Sequence, residues 1–257
     1  MAPAGLTGGS ARTLVITDIH ANLEALDAVL AAAGTRGYDR LVVLGDLVGY
    51  GPDPNAVVER VRALDAAAVI RGNHDRVACG AEGADGFNTV AREAAIWTRE
   101  TLTEGNRDWL RGLPRGPLDI SPDMSISHGA AFDEDAYVFD DADAVRVFRS
   151  TWQAVGLFGH THYPVTFELK HNCVEVVGLS GAAATSLSLD PAARYLVNPG
   201  AVGQPRDGDP RAAFAIVDEA AAQLEMYRVR YAVEATCAKI SRAGLPDALA
   251  QRLSVGR

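Results

Sequence analysis

Two histidines stand one residue apart in the segment LFGHTHYP, which spans residues 157–164 and follows an apolar run. Residues i and i+2 of an extended chain point to the same face, so His160 and His162 are expected to face a common object. For this fragment alone, a pair of solvated loop histidines is an equally good interpretation. The other polar motifs of the chain distinguish between a common ligand and solvated loop histidines.

Five of the six histidines fall in the short motifs TDIH (17–20), GNHD (72–75), SHG (127–129) and GHTH (159–162), and GDLVG (45–49) adds a carboxylate. The candidate ligand residues in these motifs are Asp18, His20, Asp46, Asn73, His128, His160 and His162. All but His20 fall at or just past the carboxyl end of a predicted strand, the edge where open α/β sheets bind ligands. Only His171 lies outside the motifs, and we interpret it as a surface residue. The interpretation as solvated loop histidines does not explain why the histidines cluster in these motifs.

The mixture of side chains indicates a metal centre. Imidazole nitrogens together with carboxylate and amide oxygens suit Mn, Fe, Zn, Co or Ni. Seven ligands are too many for one catalytic ion that keeps an open position. They suit two ions about 3.5–4 Å apart that share a bridging carboxylate and hold a hydroxide as nucleophile. Two divalent cations and two aspartates would leave a positive site that attracts phosphate.

The elements that must position these residues alternate along the chain. Strands are predicted at 13–17, 40–46, 117–120, 123–128, 155–159, 164–169, 173–178, 194–198, 212–218 and 223–230, with one more inside AAAVIRGNHD (66–75). Helices are predicted at 22–34, 55–64, 88–104, 105–112, 140–150 and 231–253. A β-α-β first half and a mostly antiparallel second half indicate an α/β fold with two packed sheets flanked by helices. No linker divides the halves, so residues 12–257 are predicted to form one domain.

Composition excludes several classes of protein. The net charge of −9 and the lack of a basic block argue against binding to long nucleic acid. No apolar run approaches 18 residues, so no membrane span is expected. The first 11 residues are interpreted as a flexible lead-in and not as a signal peptide. Cys79, Cys173 and Cys237 have no metal-site or disulfide spacing, which predicts three buried thiols and a reducing, cytoplasmic location.

The five motifs, in their order DIH, GDLVG, GNHD, SHG and GHTH, resemble those of the calcineurin-like metallophosphoesterases. The resemblance spans about residues 12–230, and the segment NPGAVGQPRDGDPRAAFAIVD (198–218) is similar to the small prokaryotic phosphodiesterase branch. It implies a four-layer α/β/β/α sandwich. It also implies two divalent transition metal ions as cofactors, with Mn as the first choice and Fe, Ni, Co or Zn as alternatives.

The resemblance assigns roles to individual residues. One metal would be held by Asp18, His20, Asp46 and His162, and the other by Asp46 as bridge with Asn73, His128 and His160. His74 would not bind metal but would stabilise or protonate the reacting phosphate. Asp75 would orient His74 through a hydrogen bond, with a plain loop cap as the alternative.

Other residues near the motifs have less certain roles. Arg206 and Arg211 are expected to pair with Asp207 and Asp209, with contact to a substrate phosphate as the alternative. Tyr50 either lines the pocket or packs the turn. For Asn198 and Gly200 a purely structural role in the NPG turn is favoured.

Two classes of function follow. The first is a dinuclear phosphoesterase that hydrolyses a small phosphodiester, a phosphomonoester or a nucleotide-type substrate such as a cyclic nucleotide. The second is a non-catalytic metal-binding scaffold that retains the fold. The complete ligand set and the presence of His74 favour the enzyme, because a scaffold is free to lose these residues. The expected partner is a small phosphate ester, and a homo-oligomer is left open.

Overall fold

The computed structural model describes residues 10–177 and 182–257. Most of the predicted lead-in, residues 1–9, lies outside this part of the chain. The strands are β1 (Arg12–Ile16), β2 (Arg40–Val43), β3 (Ala68–Val69), β4 (Leu118–Ser121), β5 (Met124–Ile126), β6 (Val155–Leu157), β7 (Val165–Lys170), β8 (Cys173–Val177), β9 (Ala184–Ser188), β10 (Arg194–Asn198), β11 (Ala212–Asp218) and β12 (Gln223–Val229). The helices are α1 (Leu23–Gly34), α2 (Pro54–Arg62), α3 (Asn73–Ala78), α4 (Thr89–Thr101), α5 (Glu104–Arg111), α6 (Asp141–Ser150), α7 (Val233–Arg242) and α8 (Asp247–Val255).

The described strands form two mixed sheets. The first has the order β3-β2-β1-β11-β12-β9, and the second has the order β4-β5-β6-β10-β7-β8. The strands that precede the polar motifs are parallel to one another, β1 with β2 and β2 with β3 in the first sheet and β5 with β6 in the second. Their carboxyl ends therefore meet at one edge of each sheet.

The alternation of side chains in β1 explains the layers. Leu14 and Ile16 pack with α1, α2 and α5 on the outer face of the first sheet, whereas Val15 faces the second sheet. A strand buried on both faces reads as a continuous apolar run, as TLVIT does. The outer face of the second sheet is covered by α6, where Phe148 packs against Phe167. The predicted four-layer α/β/β/α fold is confirmed.

Three local predictions differ from the structure. The third strand is shortened to β3, and the polar segment after it begins the short helix α3. The predicted helix over 231–253 is two helices, α7 and α8, because Gly244 has a left-handed φ of 69° and Pro246 follows it. Strand β9 was not predicted, since its sequence ATSLS is small and polar.

The three cysteines are unpaired but not equally buried. Cys79 is buried, as predicted, whereas Cys237 on α7 is partly exposed. Cys173 is exposed because it opens β8, the edge strand of the second sheet, so the prediction of three buried thiols was wrong. In the described ranges, no helix combines the length and the apolar character that a membrane crossing requires.

Candidate metal centre

The predicted ligand residues meet where the two sheets face each other. The first sheet supplies Asp18 and His20 after β1, Asp46 after β2 and Asn73 after β3. The second sheet supplies His128 after β5 and the pair His160 and His162 after β6. Six of these seven side chains are buried, and Asn73 is partly buried.

The donor atoms form two groups that share one carboxylate. The first contains Asp18, His20, Asp46 and His162, and the second contains Asp46, His128 and His160; within each group the donor atoms lie within 4.8 Å of one another. Asp46 Oδ2 lies 3.6 Å from His20 Nε2 and 3.4 Å from His128 Nε2. A single oxygen of Asp46 therefore faces both groups.

Main-chain carbonyls fix the tautomer of three imidazoles. The Nδ1 atom of His20 lies 3.1 Å from Val48 O, that of His128 lies 2.8 Å from Leu44 O, and that of His162 lies 2.6 Å from Gln204 O. A carbonyl only accepts, so each Nδ1 carries the hydrogen and donates it. The Nε2 lone pair of each ring is then directed into the site.

His160 is bound in the opposite sense. Its Nε2 lies 3.2 Å from the main-chain oxygen of Asp135, which makes Nε2 the donor and leaves the lone pair on Nδ1. That Nδ1 lies 3.1 Å from His128 Nε2, and His20 Nε2 lies 3.1 Å from His162 Nε2. Two lone pairs at this distance repel each other unless a proton or a metal cation lies between them. The donor set therefore fits divalent cations in both groups.

Asn73 belongs to the second group by position. Its Oδ1 lies 3.2 Å from His128 Nε2, and an amide oxygen is a suitable ligand beside imidazoles. The residue is the first of α3, which follows β3 directly. The structure thus brings all seven predicted ligand residues to one place.

Most of these residues have an unusual backbone conformation. The angle φ is positive at Asp18 (53°), Asp46 (51°), His160 (69°) and His162 (63°), and also at His20. Left-handed conformations at residues with a side chain cost free energy and concentrate at functional sites. They also correct the extended-chain argument for GHTH: His160 and His162 face different donor groups because their chain has already left the strand.

Burial opposes charge on most groups of the site, although at His128 the neighbouring Asp46 outweighs burial and raises the pKa to about 10. Burial raises the pKa of Asp18 to about 7 and lowers the pKa of His160 to about 3. The pKa values of His20 and His162 are likewise lowered by burial. Neutral imidazoles are the form that binds a metal. Burial also acts to raise the pKa of Asp46, but the neighbouring His128 and His74 outweigh it and hold that pKa well below its ordinary value.

His74 lies beside the donor groups without belonging to either. Its ring packs 4.9 Å from that of His20, 4.4 Å from that of Tyr50 and 4.5 Å from that of Phe87. In the described chain its buried Nδ1 has no hydrogen-bond partner, and burial lowers its pKa to about 4. A buried donor or acceptor without a partner is unusual and is expected where a ligand binds.

Asp75 does not make the predicted hydrogen bond to His74. Its Oδ1 accepts from the main-chain N–H groups of Leu47 (2.9 Å) and Val48 (3.2 Å), and its Oδ2 accepts from that of Gly72 (2.9 Å). Asp75 therefore ties the loop after β2 to the start of α3, which is the loop-cap alternative. It holds the chain that directly follows Asp46 in place.

A cavity of about 350 Å³ opens beside the candidate metal ligands. Asn73, His74 and His160 line it, together with the rings of Phe87 and Tyr137. The Tyr137 ring stacks on His160 with centroids 4.1 Å apart and planes inclined by 13°. The cavity thus gives a small substrate with flat apolar groups a route to the candidate ligands.

The remaining residues of the motif loops have distinct roles. Tyr50 lines the cavity. Asn198 is buried, and its Nδ2 donates to Gly159 O (3.0 Å) and Thr161 Oγ1 (2.9 Å), so it shapes the GHTH loop. Arg211 pairs with Asp209 as predicted. Arg206 does not pair with Asp207, whose Oδ2 atom instead contacts Arg228.

The site and the two-sheet fold define a metallophosphoesterase. A family model described as the calcineurin-like phosphoesterase superfamily domain matches residues 12–222. The chain therefore belongs to the calcineurin-like phosphoesterase superfamily, and its predicted class of phosphoric ester hydrolase is confirmed.

The chain is similar to several individual proteins. A crystal structure of a metallophosphoesterase from Sphaerobacter thermophilus superposes with a TM-score of 0.84 at 38% identity, covering 97% of this chain and 100% of that one. An uncharacterized protein of Methanocaldococcus jannaschii is 36% identical over 251 residues, 95% of this chain and 97% of the relative. A symmetrical bis(5'-nucleosyl)-tetraphosphatase of Janthinobacterium sp. (strain Marseille) is 35% identical over 103 residues, 38% of this chain and 34% of that protein.

Proposed function

We propose that the protein is a dinuclear metal-dependent phosphoesterase that hydrolyses small phosphodiesters or phosphomonoesters, with two manganese ions as cofactors. The observation that carries the proposal is the pair of donor groups that share Asp46, beside an open cavity that Asn73 and His160 line. Asp18, His20 and His162 would complete one metal site. Asn73, His128 and His160 would complete the other.

The bound ions would offset the negative charge of the phosphate and activate a water molecule for attack on phosphorus. In the hydrolysis the water oxygen bonds to phosphorus, the bond to the leaving oxygen breaks, and that oxygen takes up a proton. His74 would stabilise or protonate the reacting phosphate, since its unpartnered Nδ1 belongs to a ring that lines the cavity. The main chain of His74 also donates to Asp46 Oδ1 (2.9 Å), which holds this carboxylate in place.

A nucleotide-type substrate is supported by two observations. The cavity walls carry the rings of Tyr50, Phe87 and Tyr137, on which a flat base can stack. The partial similarity to symmetrical bis(5'-nucleosyl)-tetraphosphatases points to the same class of compound.

The net charge of −9 supports a small substrate over long nucleic acid. A cytoplasmic location is supported by the three unpaired cysteines.

The proposal is tested by turnover on a panel of phosphate esters. Protein stripped with EDTA should be inert and should regain activity with Mn²⁺, Ni²⁺ or Co²⁺. The panel should pair nitrophenyl monoesters and diesters with nucleotide monoesters, cyclic nucleotides and dinucleoside polyphosphates. Full activity of the metal-free protein would contradict the mechanism. Two tightly bound metals without turnover on any ester would favour the non-catalytic scaffold.

A further inference from the structure

Arg206 is a cation without a carboxylate partner beside the metal-ligand cluster. Its Nη2 donates to two neutral acceptors, Gln204 Oε1 at 3.2 Å and the hydroxyl of Tyr50 at 3.4 Å. Its Nε is buried and has no hydrogen-bond partner among the described residues. A guanidinium offers five donors in a planar fork, so most of its binding capacity is unused here.

The neighbouring arginines, unlike Arg206, each pair with a carboxylate. Arg211 pairs with Asp209, and Arg228 pairs with Asp207. In the part of the chain that the structure describes, no aspartate or glutamate forms an ion pair with Arg206. A partly buried guanidinium that no carboxylate contacts directly is suited to bind an anion.

The location of Arg206 relates this anion to the metal centre. Its guanidinium carbon lies 5.8 Å from the ring centroid of Tyr50, and that ring packs 4.7 Å from the ring of His20. Gln204, which contacts Arg206, also fixes His162 through its main-chain oxygen. The side chain of Tyr50 thus separates Arg206 from the candidate ligand His20, and the positive charge of Arg206 acts on the candidate ligands across this distance.

A second element adds positive charge and rigidity at this position. Helix α8 packs against Tyr50 through Leu249 and Leu253. Arg252 lies on the same helix, and its pKa is lowered by burial and by the positive charge of Arg206. Gly208 in the Arg206 loop donates its N–H to Gly256 O at 2.8 Å, so the end of α8 also holds the loop.

We propose that Arg206 forms a second phosphate subsite, which binds the phosphate group adjacent to the one at the metal ligands. This inference rests on the proposed phosphoesterase function. It adds that the substrate carries at least two linked phosphates, as a nucleoside polyphosphate does. The forked donors of Arg206 suit the oxygens of such a phosphate, and the nearby charge of Arg252 strengthens the attraction.

Binding calorimetry of the manganese-loaded full chain tests the subsite. Inorganic pyrophosphate and orthophosphate are titrated separately, with free Mn²⁺ buffered at one level. The protein should bind pyrophosphate more tightly than orthophosphate. Arg206→Met keeps the aliphatic stem but removes the charge, and it should raise the Kd for pyrophosphate about 10- to 100-fold, the worth of a charge-assisted hydrogen bond. The Kd for orthophosphate should change by less than about twofold.

Two further variants make the result specific. Arg211→Met removes an arginine of the same loop whose charge is already paired, and it should leave both dissociation constants unchanged. Arg206→Lys retains the charge without the fork and should give an intermediate Kd for pyrophosphate, so the proposal stays testable if the Met variant unfolds. Equal losses for both anions, or an unchanged preference in Arg206→Met, would overturn the subsite. Turnover of nitrophenyl esters, which carry one phosphate, tests the proposed function independently of this result.

Discussion

At the scale of the residue, one oxygen atom of Asp46 connects the two halves of the site. Asp46 Oδ2 faces His20 on one side and His128 on the other, while Oδ1 accepts a hydrogen bond from the main chain of His74. No other residue is common to both donor groups found among the described residues. Removing its charge should therefore disturb both metals at once.

Asp46→Asn should lower metal binding at both sites and cost more activity than any other single ligand change. The substitution keeps the shape of the side chain but removes one negative charge between two cations. Metal analysis after dialysis should show both ions reduced. Asp18→Asn is the matched control, because Asp18 belongs to the first group alone. If Asp46→Asn lost one ion and retained the other tightly, Asp46 would not be the bridge.

His74→Asn should separate chemistry from metal binding. The main-chain N–H that supports Asp46 is unchanged in this variant, so two metals per chain should remain. Turnover should fall about 10²–10⁴-fold, the usual contribution of a proton-transfer or charge-stabilising group. The loss should be larger for a nucleotide diester than for a nitrophenyl diester, because only the poor leaving group needs a proton. Equal losses would mean that His74 acts on the phosphoryl oxygens, and loss of metal would make it a ligand.

At the scale of the element, short strands and tight loops determine how closely the motifs approach one another. A Cβ atom on Gly72 would overlap the Asp46 carboxylate and lie 2.5 Å from the main-chain nitrogen of Asp46. The glycine in GNHD is thus required by the packing of the loop after β3 against the loop after β2. Asp75 fastens the same two loops from the other side.

Gly72→Ala should displace Asp46 and weaken metal binding without removing any ligand. Metal affinity, measured by titration of the metal-free protein, should fall at both sites, since Asp46 belongs to both groups. Gly105→Ala on α5 is a suitable control, because a Cβ there meets no atom within 4 Å and alanine favours a helix. Unchanged metal affinity in Gly72→Ala would show that the loop can shift without cost.

The sequence predicted the elements and the candidate ligands better than it predicted their contacts. Buried parallel strands such as β1 are continuous apolar runs, and the polar motifs that follow them occur in a fixed order along the chain. The strands and the motifs could therefore both be recognised from the sequence. Strand β9 has Leu187 as its one large apolar residue and is defined by pairing with β12, which is information that its own sequence does not contain. The partners of Asp75 and Arg206 depend on side-chain packing between segments far apart in the chain. The sequence places Arg206 next to Asp207, whereas in the folded chain Asp207 pairs with Arg228 of β12.

At the scale of the whole molecule, the donor groups lie across the boundary between the two sheets. Each group combines residues of the first sheet with at least one histidine of the second. Bound metals would therefore connect the sheets in addition to the apolar layer between them, which includes Val15, Leu157 and Val197. Because the ligand set exists only in the folded chain, metal binding should contribute to the stability of the whole fold.

Metal loading should raise the midpoint of thermal unfolding. At a free metal concentration 100 times Kd, one site adds about 2.7 kcal/mol to the free energy of unfolding. For a chain of this size that corresponds to roughly 5–10 °C, which scanning calorimetry detects. The Asp46→Asn variant should show a much smaller rise under the same conditions. An identical midpoint with and without metal would mean that the ions do not bind the folded protein tightly.

The hydrogen bonds from the imidazoles to main-chain carbonyls have a spectroscopic consequence. In the zinc-loaded protein, which is diamagnetic, His20, His128 and His162 should appear in nitrogen-edited NMR spectra as Nδ1–H tautomers. His160 should give the opposite pattern, with its proton on Nε2. The buried ring protons should exchange slowly with solvent and resonate far downfield. The protein would thus carry resolved reporters of its metal centre that require neither a substrate nor a label.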